Sequence, residues 1–200
     1  MNNNIITYCS FNIEDFSSIK NLYDNEMLFN KFRNLDLLLI QEWKNKNNEG
    51  EMFISKLNEN NKRKYEYKYV DRVCLIYDIN NFECTNYFPI ELAFEAPKMI
   101  EKAYTKGRVK SNILTILKPK SSEISNLVLC IINFHLSAYK PDLHKGFHKK
   151  QLSKLLKDSL KIIQSKGYKK YGVIIGGDTN YRTIGMNSNN LIEELLDNIR

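Results

Sequence analysis

Apolar residues are not spread evenly along this chain; they gather in short runs that stop abruptly at polar residues. Ile5 to Phe11 is a nearly continuous run of β-formers and predicts a strand buried on both faces. Phe16 to Phe32 sets Phe16, Ile19, Leu22, Tyr23, Met27 and Phe32 at mixed spacings, mostly three and four, the repeat of an amphipathic helix. Leu35 to Ile40 predicts a second buried strand and Glu51 to Asn61 a short helix. Tyr65 to Val70 alternates aromatic and charged residues, the period of a half-exposed strand. Val73 to Tyr77 and Phe82 to Phe88 follow, separated by turn chemistry at Asp78-Ile79-Asn80-Asn81.

Ile90 to Lys106 reads as an irregular excursion with a short helix. Val109 to Leu117 and Leu127 to Phe134 predict a hairpin across a polar, Pro-containing link. Leu143 to Ser165 is a long amphipathic helix that Gly167 can stop. Tyr171 to Ile175 predicts a last buried strand and Leu191 to Ile199 a last helix. No repeat, linker or low-complexity segment interrupts the 200 residues, which suit one domain spanning 1–200. Helices mixed with strands and hairpins point to an α/β (α+β) protein with layered, mixed sheets rather than a parallel Rossmann sheet.

Four of the predicted strands end in residues that can bind a metal or a phosphate. Ile5–Phe11 ends in Asn12, Leu37–Ile40 in Gln41-Glu42, Leu127–Phe134 in His135, and Tyr171–Ile175 runs through Gly176-Gly177 into Asp178-Thr179-Asn180. Ligands of layered α/β proteins bind where strand C-termini converge, so these ends predict one pocket. Glu42 and Asp178 are hard oxygen donors suited to Mg²⁺ or Mn²⁺. Asn12 and Asn180 can hydrogen-bond a phosphoryl oxygen or a water, and His135 can steady a phosphate or move a proton. The two glycines would let the backbone approach a ligand. Singly, each has an ordinary explanation: a turn Asn, a solvated Gln-Glu, a hydrogen-bonded rim histidine. Their recurrence at four strand ends is what carries the argument.

Those segments resemble the motifs of the endonuclease/exonuclease/phosphatase superfamily, which includes deoxyribonuclease I-like and exonuclease III-like enzymes. Thr7-Tyr8-Cys9-Ser10-Phe11-Asn12-Ile13 is similar to its first motif and Asp36-Leu37-Leu38-Leu39-Ile40-Gln41-Glu42 to its second. Asn133-Phe134-His135-Leu136 resembles Asn-x-His-Leu, and Gly176-Gly177-Asp178-Thr179-Asn180 resembles Gly-Asp-x-Asn. Val73 to Tyr77, Gly107-Arg108-Val109 and Gln151-Leu152 are secondary matches. The resemblance implies a four-layer α/β sandwich of two mixed β-sheets flanked by helices. It also implies hydrolysis of a phosphodiester or phosphomonoester by in-line attack of water. Glu42 would hold Mg²⁺ (or Mn²⁺), with Asn12 assisting the metal or the phosphate, and Asp178 would orient or activate the water. Asn180 and His135 would bind the scissile phosphate, and Arg108 would contact substrate.

One element of the family pattern is not found. Its final Ser-Asp-His motif has no counterpart in the twenty residues after Asn180. The expectation is a fold incomplete at its C-terminus, through truncation, degeneration or completion by a partner. Such a chain would bind Mg²⁺ but hydrolyse slowly or not at all.

Charge narrows the partner. Lys and Arg outnumber Asp and Glu by 30 to 23, a net +7, which favours a polyanion such as nucleic acid. A compositional lean toward Lys, Asn and Ile explains the same surplus, since about one residue in eight is Asn. Phosphoinositide or sphingolipid hydrolysis, and a non-catalytic remnant binding nucleic acid or protein, are the alternatives. The four cysteines, Cys9, Cys74, Cys84 and Cys130, lack C-x-x-C spacing and predict buried free thiols. No signal peptide or membrane span is visible, and nothing signals an oligomer. The expectation is an intracellular protein, cytoplasmic or nuclear.

Overall fold

The computed structural model describes residues 5–13, 22, 24–43, 45, 48–92, 111–121, 127–136 and 147–178. Its elements run β1 (Tyr8–Asn12), α1 (Glu26–Phe32), β2 (Leu37–Gln41), α2 (Glu49–Asn58), β3 (Tyr65–Val70), β4 (Val73–Asp78), β5 (Phe82–Glu91), β6 (Ser111–Pro119), β7 (Val128–His135), α3 (Phe147–Ser165) and β8 (Tyr171–Asp178). One sheet has the order β1-β2-β4-β3 and the other β5-β6-β7-β8. Both are mixed, with β1 parallel to β2 and β7 parallel to β8. The expected hairpin between β6 and β7 is present. The expected helix at Leu191–Ile199 lies outside the described residues.

Strand alternation builds the layers. Leu37, Leu39, Leu75, Tyr77, Leu117, Leu129 and Ile131 form the core between the two sheets. Their sequence neighbours Leu38, Ile40, Cys74 and Ile76 face outward and pack with Phe29 and Phe32 of α1 and Phe53 and Leu57 of α2. Leu114, Ile116, Cys130 and Ile132 face the other way, onto Leu152, Leu155, Leu156 and Ile163 of α3. The result is helices, sheet, sheet, helix. The helix faces follow from spacing: Phe29/Phe32 and Phe53/Leu57 lie three and four apart on one side. Asn25 caps α1, its Oδ1 accepting from Leu28 N at 3.2 Å. Gly167, with φ 71°, takes the left-handed position just after α3.

Two strands depart from expectation. β1 and β8 are not buried on both faces. Among the described residues each is an edge strand, with Tyr8 52% and Val173 40% exposed. Strand order in the sheet, which local hydrophobicity does not encode, leaves one side of each open. Pro89 fits for the converse reason, because β5 is also an edge and needs no donor there. The cysteines are all free thiols, but only Cys74 and Cys130 are buried; Cys9 and Cys84 are half-buried. Desolvation raises all four thiol pKa values, that of Cys130 to about 11.

Polar groups tie the sandwich at both ends. At one end Asp36, just before β2, accepts from Thr7 N and Oγ1 at 2.8 and 2.7 Å and from Arg63 Nη1 at 2.5 Å. Arg63 also reaches Asp78 Oδ2 at 3.0 Å. Burial pushes the Asp36 carboxyl up, but the Thr7 and Arg63 hydrogen bonds outweigh it and leave the pKa below the usual value. At the other end Asn133, fully buried on β7, crosses between the sheets. Its Nδ2 donates to Ile40 O at 3.0 Å and Cys74 O at 2.8 Å. Its Oδ1 accepts from Gln41 Nε2 at 2.7 Å.

Two outcomes follow. Asn133→Leu removes three buried inter-sheet hydrogen bonds, with Gln41 Nε2 keeping Leu39 O at 3.0 Å and Ser10 Oγ at 3.2 Å, and should lower the unfolding free energy in urea by about 2–4 kcal/mol. A loss within the error of the wild-type curve contradicts the inter-sheet role. Asp36 has a folded pKa below its unfolded one, so its contribution is present above the unfolded pKa and is lost as pH falls through the folded one. The wild type should lose stability more steeply than Asp36→Asn below about pH 4, read from urea midpoints against pH; parallel curves contradict it.

Candidate functional site

Alternation also decides which side chains meet. On β1, Ser10 and Asn12 share a face. On β2, Leu37, Leu39 and Gln41 do, and on β7 Ile131, Asn133 and His135. On β8, Ile174, Gly176 and Asp178 share a face. In each case this is the face turned to the opposite sheet. Register completes the arrangement: Asn12 pairs with Gln41 across β1 and β2, and His135 pairs with Asp178 across β7 and β8. The four expected strand ends therefore arrive at one end of the sandwich, two from each sheet.

Glu42 is the exception to alternation that makes the site. Continuing β2 would send its side chain outward with Leu38 and Ile40. Instead its backbone takes a left-handed φ of 62°, at a cost of about 1–2 kcal/mol for a residue with a Cβ. The carboxylate is then only 11% exposed and lies between the sheets. Glu42 Oε1 sits 3.0 Å from His135 Nε2, and Oε2 accepts from Arg72 Nη1 at 2.8 Å. His135 Nε2 is also 3.9 Å from Asp178 Oδ2. Asn12 Nδ2 donates to that same Asp178 oxygen at 2.6 Å. Arg72, Glu42, His135, Asp178 and Asn12 thus form one connected chain of polar groups drawn from both sheets.

The surroundings hold these groups still. His135 is 3% exposed, and its backbone N donates to Asn112 Oδ1 at 3.2 Å, while Asn112 Nδ2 donates to Ile90 O at 3.2 Å. Leu136 N donates to Asp178 O at 2.8 Å, so the parallel pairing continues past the site. Gly176 and Gly177, expected to admit a ligand, instead admit neighbouring protein. A Cβ at Gly176 would lie 2.7 Å from Leu39 Cδ2, and one at Gly177 2.2 Å from Phe134 O. Gly176 lets β8 close onto β1 and β2; Gly177 makes room for β7.

Of the expected site residues, Asn12, Glu42, His135 and Asp178 come together. Asn180 and Arg108 lie outside the described residues. Arg72 was not anticipated. It sits in an Asp-Arg turn whose composition is that of any exposed hairpin, and only the strand pairing brings it to Glu42. Oxygen dominates the donors, with carboxylates at Glu42 and Asp178 and an amide at Asn12. Among the described residues no three His, Cys, Asp or Glu side chains form a ready-made cation cage. Mg²⁺ typically takes one or two protein carboxylates and completes its shell with water and substrate oxygens, so this donor set fits such an ion.

No protein-family model matches the sequence, and no curated protein matches it either. Solved structures do. The chain is similar to ANGEL2, a 2′,3′-cyclic phosphatase, with TM-score 0.63 and 18% identity over 94% of this chain and 56% of that one. It is similar to an endonuclease/exonuclease/phosphatase family protein from Bacteroides thetaiotaomicron, with TM-score 0.60 and 16% identity over 94% of this chain and 68% of that one. It is also similar to D. rerio TDP2 complexed with a single-strand DNA product, with TM-score 0.53 and 13% identity over 95% of this chain and 64% of that one. The fold, two mixed four-stranded sheets flanked by helices, is the one these structures share, an endonuclease/exonuclease/phosphatase family protein among them. The chain spans a little over half the length of ANGEL2.

The close approach of the sheets gives a test. Gly176→Ala should destabilise the protein by about 1–3 kcal/mol, because its methyl must displace Leu39 or part the sheets beside the site. Unchanged denaturant unfolding contradicts this packing.

Proposed function

We propose that this chain is a divalent-cation-dependent phosphoesterase that hydrolyses phosphodiester bonds, with nucleic acid as its substrate class. The reading rests above all on the convergence of Glu42, His135, Asp178 and Asn12, from four strands, into one polar cluster, with His135 Nε2 3.0 Å from Glu42 and 3.9 Å from Asp178 and Asn12 hydrogen-bonded to Asp178. Glu42 and the Asn12 amide oxygen are the groups assigned to Mg²⁺ or Mn²⁺. Bound there, the ion would neutralise charge on a phosphoryl oxygen and acidify a water. Asp178, held in orientation by Asn12 Nδ2, accepts the proton of the attacking water. His135, fixed through its backbone by Asn112 and with Nε2 now 3.0 Å from Glu42 Oε1, would offer Nε2–H to a phosphoryl oxygen once the cation takes Glu42, where negative charge grows in the transition state. Asn180 and Arg108 are assigned to the phosphate and the substrate on the motif resemblance alone.

Nucleic acid is favoured by the net charge of +7 and by the DNA product bound to D. rerio TDP2. The lysines of α3 add less than their number suggests, since Lys154 is engaged by Asp158 Oδ2 at 2.7 Å. Among the described residues no helix is long and apolar enough to cross a membrane.

The test is Mg²⁺-dependent cleavage of DNA, RNA and inositol phosphates by the wild type, Glu42→Gln and Asp178→Asn. The expected result is hydrolysis of nucleic acid, even if slow, that falls by on the order of 10²–10⁴ in each variant. Cleavage confined to inositol phosphates replaces the substrate class. Salt-sensitive nucleic-acid binding without turnover moves the conclusion to a binding remnant.

A further inference from the structure

Arg72 reaches the site by an independent route. Val70 pairs with Val73, so Asp71 and Arg72 alone turn the chain from β3 into β4, with Asp71 at a left-handed φ of 49°. Trp43 N donates to Arg72 O at 2.9 Å, tying this turn to the residue after Glu42. Arg72 Nη1 then donates to Glu42 Oε2 at 2.8 Å, while Oε1 faces His135 Nε2 at 3.0 Å. Asp71 is left-handed as a two-residue hairpin turn favours, but Glu42, a member of the pair, is left-handed at a strand end where no turn type demands it. Backbone strain of this kind persists where the surrounding structure holds a functional geometry.

This arrangement creates a conflict. Oε2 of Glu42 cannot serve a guanidinium and a divalent cation together, because two positive groups a few ångströms apart repel strongly in a partly buried site. The two partners differ in what they can do about it. The Glu42 side chain is 11% exposed, whereas that of Arg72 is 32% exposed and borders solvent. Arg72 can leave without stranding a buried charge. Its planar fork of donors matches the oxygens of a phosphate.

We propose that Arg72 is both the resting counter-ion of Glu42 and a ligand for the substrate's phosphate. Its guanidinium holds Oε2 while no cation is bound, yields that oxygen to the incoming divalent ion, and turns to a phosphoryl oxygen in the same pocket. The inference rests on the cation-dependent reading above. It makes cation and phosphate binding mutually reinforcing, since phosphate gives the displaced guanidinium a partner and each ligand then tightens the other by the same factor.

The experiment is Mn²⁺ titration by electron paramagnetic resonance, alone and with inorganic phosphate, on the wild type, Arg72→Met, Arg72→Gln and Glu42→Gln. Thermal melts identify which variants are folded, and the two Arg72 substitutions give independent chances of a folded protein. Both Arg72 variants should bind Mn²⁺ alone about tenfold tighter than the wild type, and phosphate should tighten Mn²⁺ binding in the wild type much more than in either. Mn²⁺ affinity that is unchanged or weaker in both overturns the counter-ion role. Equal tightening by phosphate in all three overturns the phosphate role. Wild-type binding that vanishes in Glu42→Gln while the Arg72 variants match the wild type leaves the cation reading standing and removes Arg72 from it. Mn²⁺ binding that is absent from the wild type, or unaffected by Glu42→Gln, ends both.

Discussion

The geometry of this molecule depends on the hydrogen bonds that Asn133 makes across the sandwich. The facing surfaces of the two sheets are mostly apolar, with Leu37, Leu39 and Leu75 against Leu117, Leu129 and Ile131. Hydrophobic burial of that kind is strong but non-directional, and it would tolerate a shift of one sheet over the other. Asn133 does not tolerate it. Its amide donates to the carbonyls of Ile40 and Cys74 and accepts from Gln41. All three groups belong to the opposite sheet and sit one or two residues from the end where the polar side chains collect. A slip would break all three bonds at once and leave the buried Asn133 amide without them, a directional cost that apolar contacts do not impose.

Once the sheets are fixed, the site follows from the two-residue period of the strands and two deviations from it. His135 lies two residues beyond Asn133, so the amide that locks the sheets and the imidazole of the site share one face of β7. Asp178 lies two residues beyond Gly176, whose missing side chain lets β8 pack against Leu39 and Ser10. The deviations are Glu42 and Asp71, each left-handed. One turns a carboxylate into the gap, and the other opens the turn from which Arg72 meets it. Rigid strands supply the positions, a strained backbone supplies the Glu42 carboxylate, and the hairpin turn supplies Arg72.

Much of this was legible in the sequence because buried strands are written as apolar runs, and an abrupt polar residue at the end of such a run is a local signal. Asn12, Glu42, His135 and Asp178 could be selected that way. The motif resemblance then gave the two-sheet architecture. Three things could not be read locally. Whether a strand is central or at an edge depends on sheet order, so β1 and β8 looked more buried than they are. The backbone sign at Glu42 depends on the whole site, since nothing in Gln-Glu-Trp requires a left-handed residue. Arg72 depends on pairing between distant strands. The glycines before Asp178 suggest close approach of a ligand, whereas what approaches them is Leu39, Ser10 and Phe134 of this chain.

The most direct test of the central claim, that two sheets build one cation-binding phosphoesterase site, is anomalous diffraction from a crystal grown with Mn²⁺. One dominant peak is expected between the ends of β2 and β7, with a Glu42 carboxylate oxygen within about 2–2.5 Å of the ion and Arg72 displaced from it. A dominant peak elsewhere on the molecule, with the Glu42–Arg72 pair intact, would contradict that claim.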